Sequence, residues 1–171
     1  AGVSILKIEG RGRSADYVDT VVRAYREAVD VIEEGTYSKE KADELVRRMS
    51  LVFNRGFTDG YYLGKALPDW SGRYGSHSPR ERIFVGLVTH YFNKARVAEV
   101  NLQAKPLKVG DDLMLIGNTT GVLYDKVKSI KIDDKSFQSA KNPATITIPV
   151  SSRVRRNDKV YILSNRSNEE I

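Results

Sequence analysis

Apolar positions along this chain follow two periods, one near 3.6 residues and one of 2. The helical period comes first. Val18, Val21, Val22, Tyr25, Ala28, Val29 and Ile32 recur at helix spacing. Ser14 stands before them as N-cap, and Asp16 and Asp19 fall in a first turn where the helix dipole favours negative charge. Gly35 sits where the helix should stop. The stripe is wide, as on a helix laid against a sheet. A second helix is predicted over 38–53. Its apolar face is Ala42, Leu45, Val46, Met49, Val52 and Phe53, and Lys39, Glu40, Asp43, Glu44, Arg47 and Arg48 form its solvated face. Ahead of both helices, residues 5–13 read ILKIEGRGR, the pattern of a buried strand whose far end carries charge. Only one such strand–helix unit is present. The pattern therefore predicts the last piece of one domain over 1–66, a linker over 67–80 and a whole second domain over 81–171.

From Glu81 onward the period is 2. Ala98, Val100 and Leu102 alternate with Val97, Glu99 and Asn101. Six strands are predicted, over 83–89, 96–102, 112–116, 126–132, 145–150 and 159–163, with a hairpin near Asn93 and Lys94. Six short strands joined by tight turns imply a small closed barrel, so the fold class is α+β. Two of the turns echo each other weakly. Leu107-Lys108-Val109-Gly110-Asp111-Asp112 matches Val154-Arg155-Arg156-Asn157-Asp158-Lys159. In each, an apolar residue leads through basic residues to Gly or Asn, which tolerate a positive φ, and then to Asp and a new strand. The tail over 164–171 is expected to fray.

Between the two regimes lies FNRGFTDGYYLG over 53–64, aromatic and glycine-punctuated, which predicts a structured loop. Such a loop either lines a ligand or packs its aromatics. Asn54, Arg55 and Asp59 are its candidate ligand-lining residues. PDWSGRYGSHSPR over 68–80 is Gly/Ser/Pro-rich and marks the domain boundary, with Trp70 and Tyr74 placed to pin it.

Charge sharpens this division. Residues 1–65 carry 11 Lys+Arg and 11 Asp+Glu, a sum of zero; residues 66–171 carry 17 and 11, the whole net +6. A basic second half points to an anionic partner such as RNA; the plainer alternative is a solvated basic surface. The candidate nucleic-acid-binding residues are Lys126, Lys128, Lys131, Arg153, Arg155, Arg156 and Lys159, with Tyr124 and Tyr161 as candidate stacking rings. There is no cysteine, which excludes disulfides, thiol catalysis and cysteine-held metal in this chain. No apolar run approaches the roughly 20 residues that span a bilayer, so no membrane partner is expected and a cytoplasmic location is. His77 and His90 lack metal-ligand spacing, so no metal site is predicted. Glu9 and Arg11 are the catalytic candidates. Glu9 is a general base or ligand-orienting carboxylate and Arg11 an anion clamp, unless the two merely pair at a barrel mouth.

The blocks ILKIEGRGRSADYVDTVVRAYREAVD and FNRGFTDGYYLG resemble the C-terminal part of the peptidase U32 family, the collagenase-like proteases. Ser4, residues 7–11, Ser14, Tyr17, Val18, Val21, Val22, Tyr25, Arg26, Ala28, Asp30 and residues 53–58 fall on its pattern. The likeness continues through the LKVGD turn to the end. It implies that residues 1–66 close a modified (β/α)₈ barrel and that residues from about 81 form a β-barrel like the second domain of translation factors. The family name implies a peptidase, while several relatives instead take part in hydroxylating tRNA, ribosomal RNA or ubiquinone precursors, using a cysteine-held iron–sulfur cluster. The resemblance places those cysteines upstream of this chain, which itself carries no cofactor. The implied function is an accessory region that binds substrate or partner, RNA or peptide, beside the upstream barrel domain and without catalysis of its own.

Overall fold

The computed structural model describes residues 3–57, 64 and 76–166. The chain divides into two compact units, Ala1–Pro79 and Arg80–Ile171. Most of the expected linker, with Trp70 and Tyr74, lies outside the described residues, as do residues 167–171 of the tail.

The first unit is a helical hairpin, α1 (Ala15–Glu33) and α2 (Lys39–Ser50). Ser14 holds the N-cap position of α1 in extended conformation, but its side chain makes no capping bond. Gly35 stops the helix as the sequence predicts. With φ 69° it lets its own N–H reach Ile32 O and the Thr36 N–H reach Val31 O, which satisfies two orphan carbonyls. Ser38 caps α2, its hydroxyl accepting from the Lys41 N–H at 3.2 Å. Apolar packing between the helices is thin. Among the described residues the buried apolar side chains of this unit are Val21, Ala24, Leu45 and Val52. Charge completes the seam. Glu27 on α1 takes Lys41 Nζ at 2.5 Å and also the Arg48 guanidinium, both from α2. Hydrogen bonds from Lys41 and Arg48 hold its carboxyl below the ordinary value.

The expected N-terminal strand does not form. Residues 3–10 have no ladder partner, and Val3, Ile5 and Leu6 are exposed. A strand needs a neighbour for its backbone N–H and C=O groups, and among the described residues none pairs with this one. The stretch instead ends in a tight turn, where the Arg13 N–H donates to Gly10 O at 2.9 Å and Gly12 takes φ 73°.

The second unit is an antiparallel sheet of eight strands plus a two-stranded ribbon. The strands are β1 (Arg80–Phe92), β2 (Val97–Leu102), β3 (Leu107–Lys108), β4 (Asp112–Gly117), β5 (Gly121–Lys126), β6 (Ile130–Ile132), β7 (Lys135–Phe137), β8 (Ser139–Ala140), β9 (Ala144–Pro149) and β10 (Lys159–Asn165). The large sheet runs β5-β4-β10-β1-β2-β9-β6-β7, with β3 pairing β8 separately. Among the described residues ten strands replace the six expected, and the ladder has two ends, β5 and β7, rather than closing by hydrogen bonds. The strand expected over 126–132 is split. Val127 leaves the β5 line to pair across the turn at Asp111, and β6 begins only at Ile130. Asp133 and Asp134, both at positive φ, make the two-residue turn into β7.

One cluster of sixteen buried residues fills the inner side of this sheet, drawing on β1, β2, β3, β4, β6, β8, β9 and β10. Ala98, Val100 and Leu102, the alternating set read from the sequence, lie within it fully buried. Gly86 is needed where β1 crosses β2, since a Cβ there would sit 1.9 Å from the Asn101 carbonyl oxygen.

The two echoing turns prove to be the same construction. The Lys108 N–H donates to Asp111 Oδ2 at 2.8 Å, and the Arg155 N–H donates to Asp158 Oδ2 at 2.8 Å. Gly110 and Asn157 occupy the positive-φ position. Each turn then clasps a distant valine. Gly110 N–H reaches Val127 O and the Val127 N–H reaches Asp111 O; Asn157 N–H reaches Val88 O and the Val88 N–H reaches Asp158 O. The strands leaving the two turns, β4 and β10, pair with each other, Leu115 opposite Val160 and Leu113 opposite Ile162. A local two-fold thus relates β5–β4 to β1–β10.

Candidate functional site

Glu9 and Arg11 meet in the N-terminal turn rather than at a strand end. Glu9 Oε1 accepts the backbone N–H of Arg11 at 2.7 Å. This holds the carboxylate in a local loop. Arg13 is more firmly placed, its guanidinium 4.2 Å from the Phe53 ring centroid and 5.7 Å from that of Tyr17. Gly10 lies against Val18, where a Cβ would approach Cγ2 to 2.8 Å. The turn is therefore seated on the start of α1.

Asn54 serves the helix end. Its Nδ2 donates to Ser50 O at 2.9 Å and Val52 O at 3.0 Å, its Oδ1 accepts the Gly56 N–H, and its backbone binds Ser76 and His77. Buried Ser78 adds a bond from its hydroxyl to Leu51 O at 2.8 Å. Asn54 and Ser78 thus satisfy carbonyls that α2 leaves open. Arg55 is the exposed neighbour of Asn54, and Asp59 lies outside the described residues.

The seven basic candidates are all exposed. Asp125 gathers the first group. Its Oδ1 accepts the Lys126 N–H at 2.8 Å and its Oδ2 the Ser151 N–H at 2.6 Å, which draws the end of β5 to the loop after β9. Burial raises the Asp125 carboxyl, but the Ser151 and Lys126 N–H groups, the Ser151 hydroxyl and the Lys128 charge outweigh it and leave it lowered. Lys126 and Lys128 meet the Ser151 loop here, and Arg153 follows two residues along that loop. Lys126 also pairs with Asp112 at 3.3 Å. Lys131 lies on β6 opposite Thr147.

Arg155 and Lys159 belong to the other end of β5. Arg155 Nη1 donates to Thr120 Oγ1 at 3.4 Å. The Thr120 hydroxyl donates to Asp158 Oδ2 at 2.5 Å, and Asp158 is buried. Gly117 makes room for that carboxylate, since a Cβ there would meet Asp158 Oδ1 at 1.7 Å. Lys159 begins β10 between Leu87 and Ile116. Asp125 carries no sequence signal of its role, and Asp158 shows in the sequence only as the Asp of the second echoing turn. The repeated Asp after Gly or Asn was the available signal for Asp158.

Among the described residues no group of three or more His, Asp or Glu is placed to hold a metal ion, and no helix is long and apolar enough to cross a membrane. His90 stacks edge-to-face on Phe92 at 4.6 Å.

A capped helical hairpin followed by an eight-stranded antiparallel sheet makes this a helix-plus-sheet chain. Residues 1–72 match the model of peptidase family U32. A collagenase of Porphyromonas gingivalis is 42% identical over 97% of this chain and 40% of its own length. The tRNA hydroxylation protein P1 of Bacillus subtilis is 28% identical over 85% of this chain and 34% of its own. The C-terminal domain of a Geobacillus thermoleovorans U32 peptidase overlays 46% of this chain and 98% of that domain, with TM-score 0.44 and 20% identity. The chain spans less than half the length of these curated relatives.

Proposed function

We propose that this chain is the substrate- or partner-binding region of a U32 protein and carries out no catalysis by itself. One observation carries the reading. Val18, Val22, Tyr25, Val29 and Ile32 form a second apolar stripe on α1, rotated off the seam with α2, and Val22, Tyr25 and Ile32 are 45%, 41% and 59% exposed. An apolar helix face of this length is built to be covered. The cover that suits it is the upstream (β/α)₈ barrel of the same protein, with residues 1–66 as its closing piece. Residues 5–10 then gain the neighbouring strands they lack, and Glu9 and Arg11 reach the barrel mouth where such folds do their chemistry. The sheet unit is the translation-factor-like barrel of this reading, and the setting is cytoplasmic. Any iron–sulfur cluster of the whole protein takes its thiolates from elsewhere, since this chain has no cysteine. The test is incubation of the purified chain with gelatin and with a casein peptide. No cleavage is expected. Cleavage that persists through a second purification and is absent from a mock preparation would overturn the reading.

A second reading, RNA binding by the sheet unit, rests on the gathering of Lys126 and Lys128 around the Ser151 loop and on the Bacillus relative named as a tRNA hydroxylation protein. Its mark is tRNA affinity that falls steeply as salt rises. No binding at low salt would remove it.

A further inference from the structure

We propose that the outer face of β5, β4, β10 and β1 is a stacking platform for unpaired RNA bases. The inference rests on the RNA reading above and specifies which RNA and which residues. The register carries it. Tyr124 lies opposite Met114, Met114 opposite Tyr161, and Tyr161 opposite Phe84, so one row crosses four neighbouring strands. Strand spacing makes that row about 14 Å long. None of the four belongs to the inner core cluster. Met114 is nonetheless fully buried, with a tyrosine opposite it on each side. Phe84 and Tyr161 meet edge-to-face at 5.7 Å. Tyr124, on the end strand, is 45% exposed.

A cationic row runs beside the aromatic one. Side chains two residues apart on a strand share a face. Lys126 is therefore the outward neighbour of Tyr124, and Arg82 of Phe84. Because β5 and β1 run in opposite directions, both cations lie on the same side of the aromatic row. Arg82 reaches back over Tyr161, 5.9 Å from its ring centroid. The Lys126–Asp112 ion pair is exposed on both sides, 61% and 55%, and such a pair is weak enough for a phosphate to compete with it. Bases over the aromatic row and phosphates along the cationic row match single-stranded nucleic acid, which proteins hold by stacking and by backbone charge together. A duplex, with its bases already stacked, makes only the phosphate contacts.

Binding of the 171-residue chain to a fluorescent single-stranded oligoadenylate RNA, and to an RNA duplex of equal length, tests this. Tyr124→Ala is expected to weaken single-strand binding about tenfold while leaving the salt slope unchanged. Tyr124→Phe, which keeps the ring, should bind like the parent. Lys126→Ala should weaken both RNAs and flatten the salt slope. If Tyr124→Ala binds the single strand as well as the parent does, or if the duplex binds as tightly as the single strand, the platform is wrong and the RNA reading survives. If neither RNA binds at low salt, both fall and the face belongs to a protein partner.

Discussion

The two units bury their apolar residues in opposite ways. The sheet unit turns sixteen residues into a single inner cluster, with Val85, Val100, Leu102, Leu107, Leu115, Ile130 and Ile148 at zero exposure. The helical hairpin leaves Val22, Tyr25, Ile32 and Val46 in water and relies on Glu27 to tie its helices together. Hydrophobic stabilisation scales with the apolar area removed from water, so the sheet unit draws far more from burial than the hairpin does. Exposed apolar residues in the hairpin accompany a thin core, whereas Phe92, Tyr124 and Phe137, exposed in the sheet, lie outside a complete one.

The largest effects should come from the sheet core. Leu115→Ala should cost about 3 kcal/mol of unfolding free energy in denaturant titration, from lost burial and the cavity left behind. Ile32→Ser on the hairpin should change stability by less than about 0.5 kcal/mol, because the side chain is already largely in water. Equal losses would break the comparison.

The paired turns sharpen it within the sheet. Asp158 is buried and holds both Thr120 and the Arg155 N–H, whereas its counterpart Asp111 holds the Lys108 N–H at a more exposed site. Asp158→Ala should cost about 2 kcal/mol, since it leaves buried donors unmatched. Asp111→Ala should cost less than half as much by the same titration.

The two helix caps give a smaller contrast. Ser38→Ala removes a side-chain bond to the Lys41 N–H and should cost the hairpin about 1 kcal/mol. Ser14→Ala removes no such bond and should be near neutral. Helical circular dichroism during thermal unfolding reads both.

Acid should act on the hairpin first. Hydrogen bonds from Lys41 and Arg48 lower the Glu27 carboxyl below its ordinary value of 4.5. A carboxylate lowered in the folded state stabilises above the unfolded pKa and loses that contribution as pH falls through the folded one. Helix signal should therefore weaken below about pH 4.5 and, at neutral pH, with added salt, by small amounts. A hairpin indifferent to both would show that the Glu27 network contributes nothing.

Much of this organisation was written locally. Gly35 stops α1 because the chain needs a positive φ there, and the alternation at Ala98, Val100 and Leu102 marks inward positions that any sheet would bury. The echo between the LKVGD and VRRND turns was legible because Gly, Asn and Asp each have a local job. Three features were not legible, for one shared reason. The 5–13 stretch has strand composition, but strand formation needs a neighbour. The break at Val127 depends on the turn it clasps at Asp111. The row of Tyr124, Met114, Tyr161 and Phe84 exists only through the registers of three separate strand pairs. Long-range pairing leaves no periodic trace at the residues it brings together.

Native-state hydrogen exchange of the intact chain, resolved by residue, tests the contrast between the units most directly. Amides of β1, β2, β4, β9 and β10 should exchange only through global unfolding, while those of α1 and α2 should exchange through a separate and much cheaper opening. Helix amides protected as strongly as the central strands would contradict the claim that the hairpin is a surface awaiting its cover.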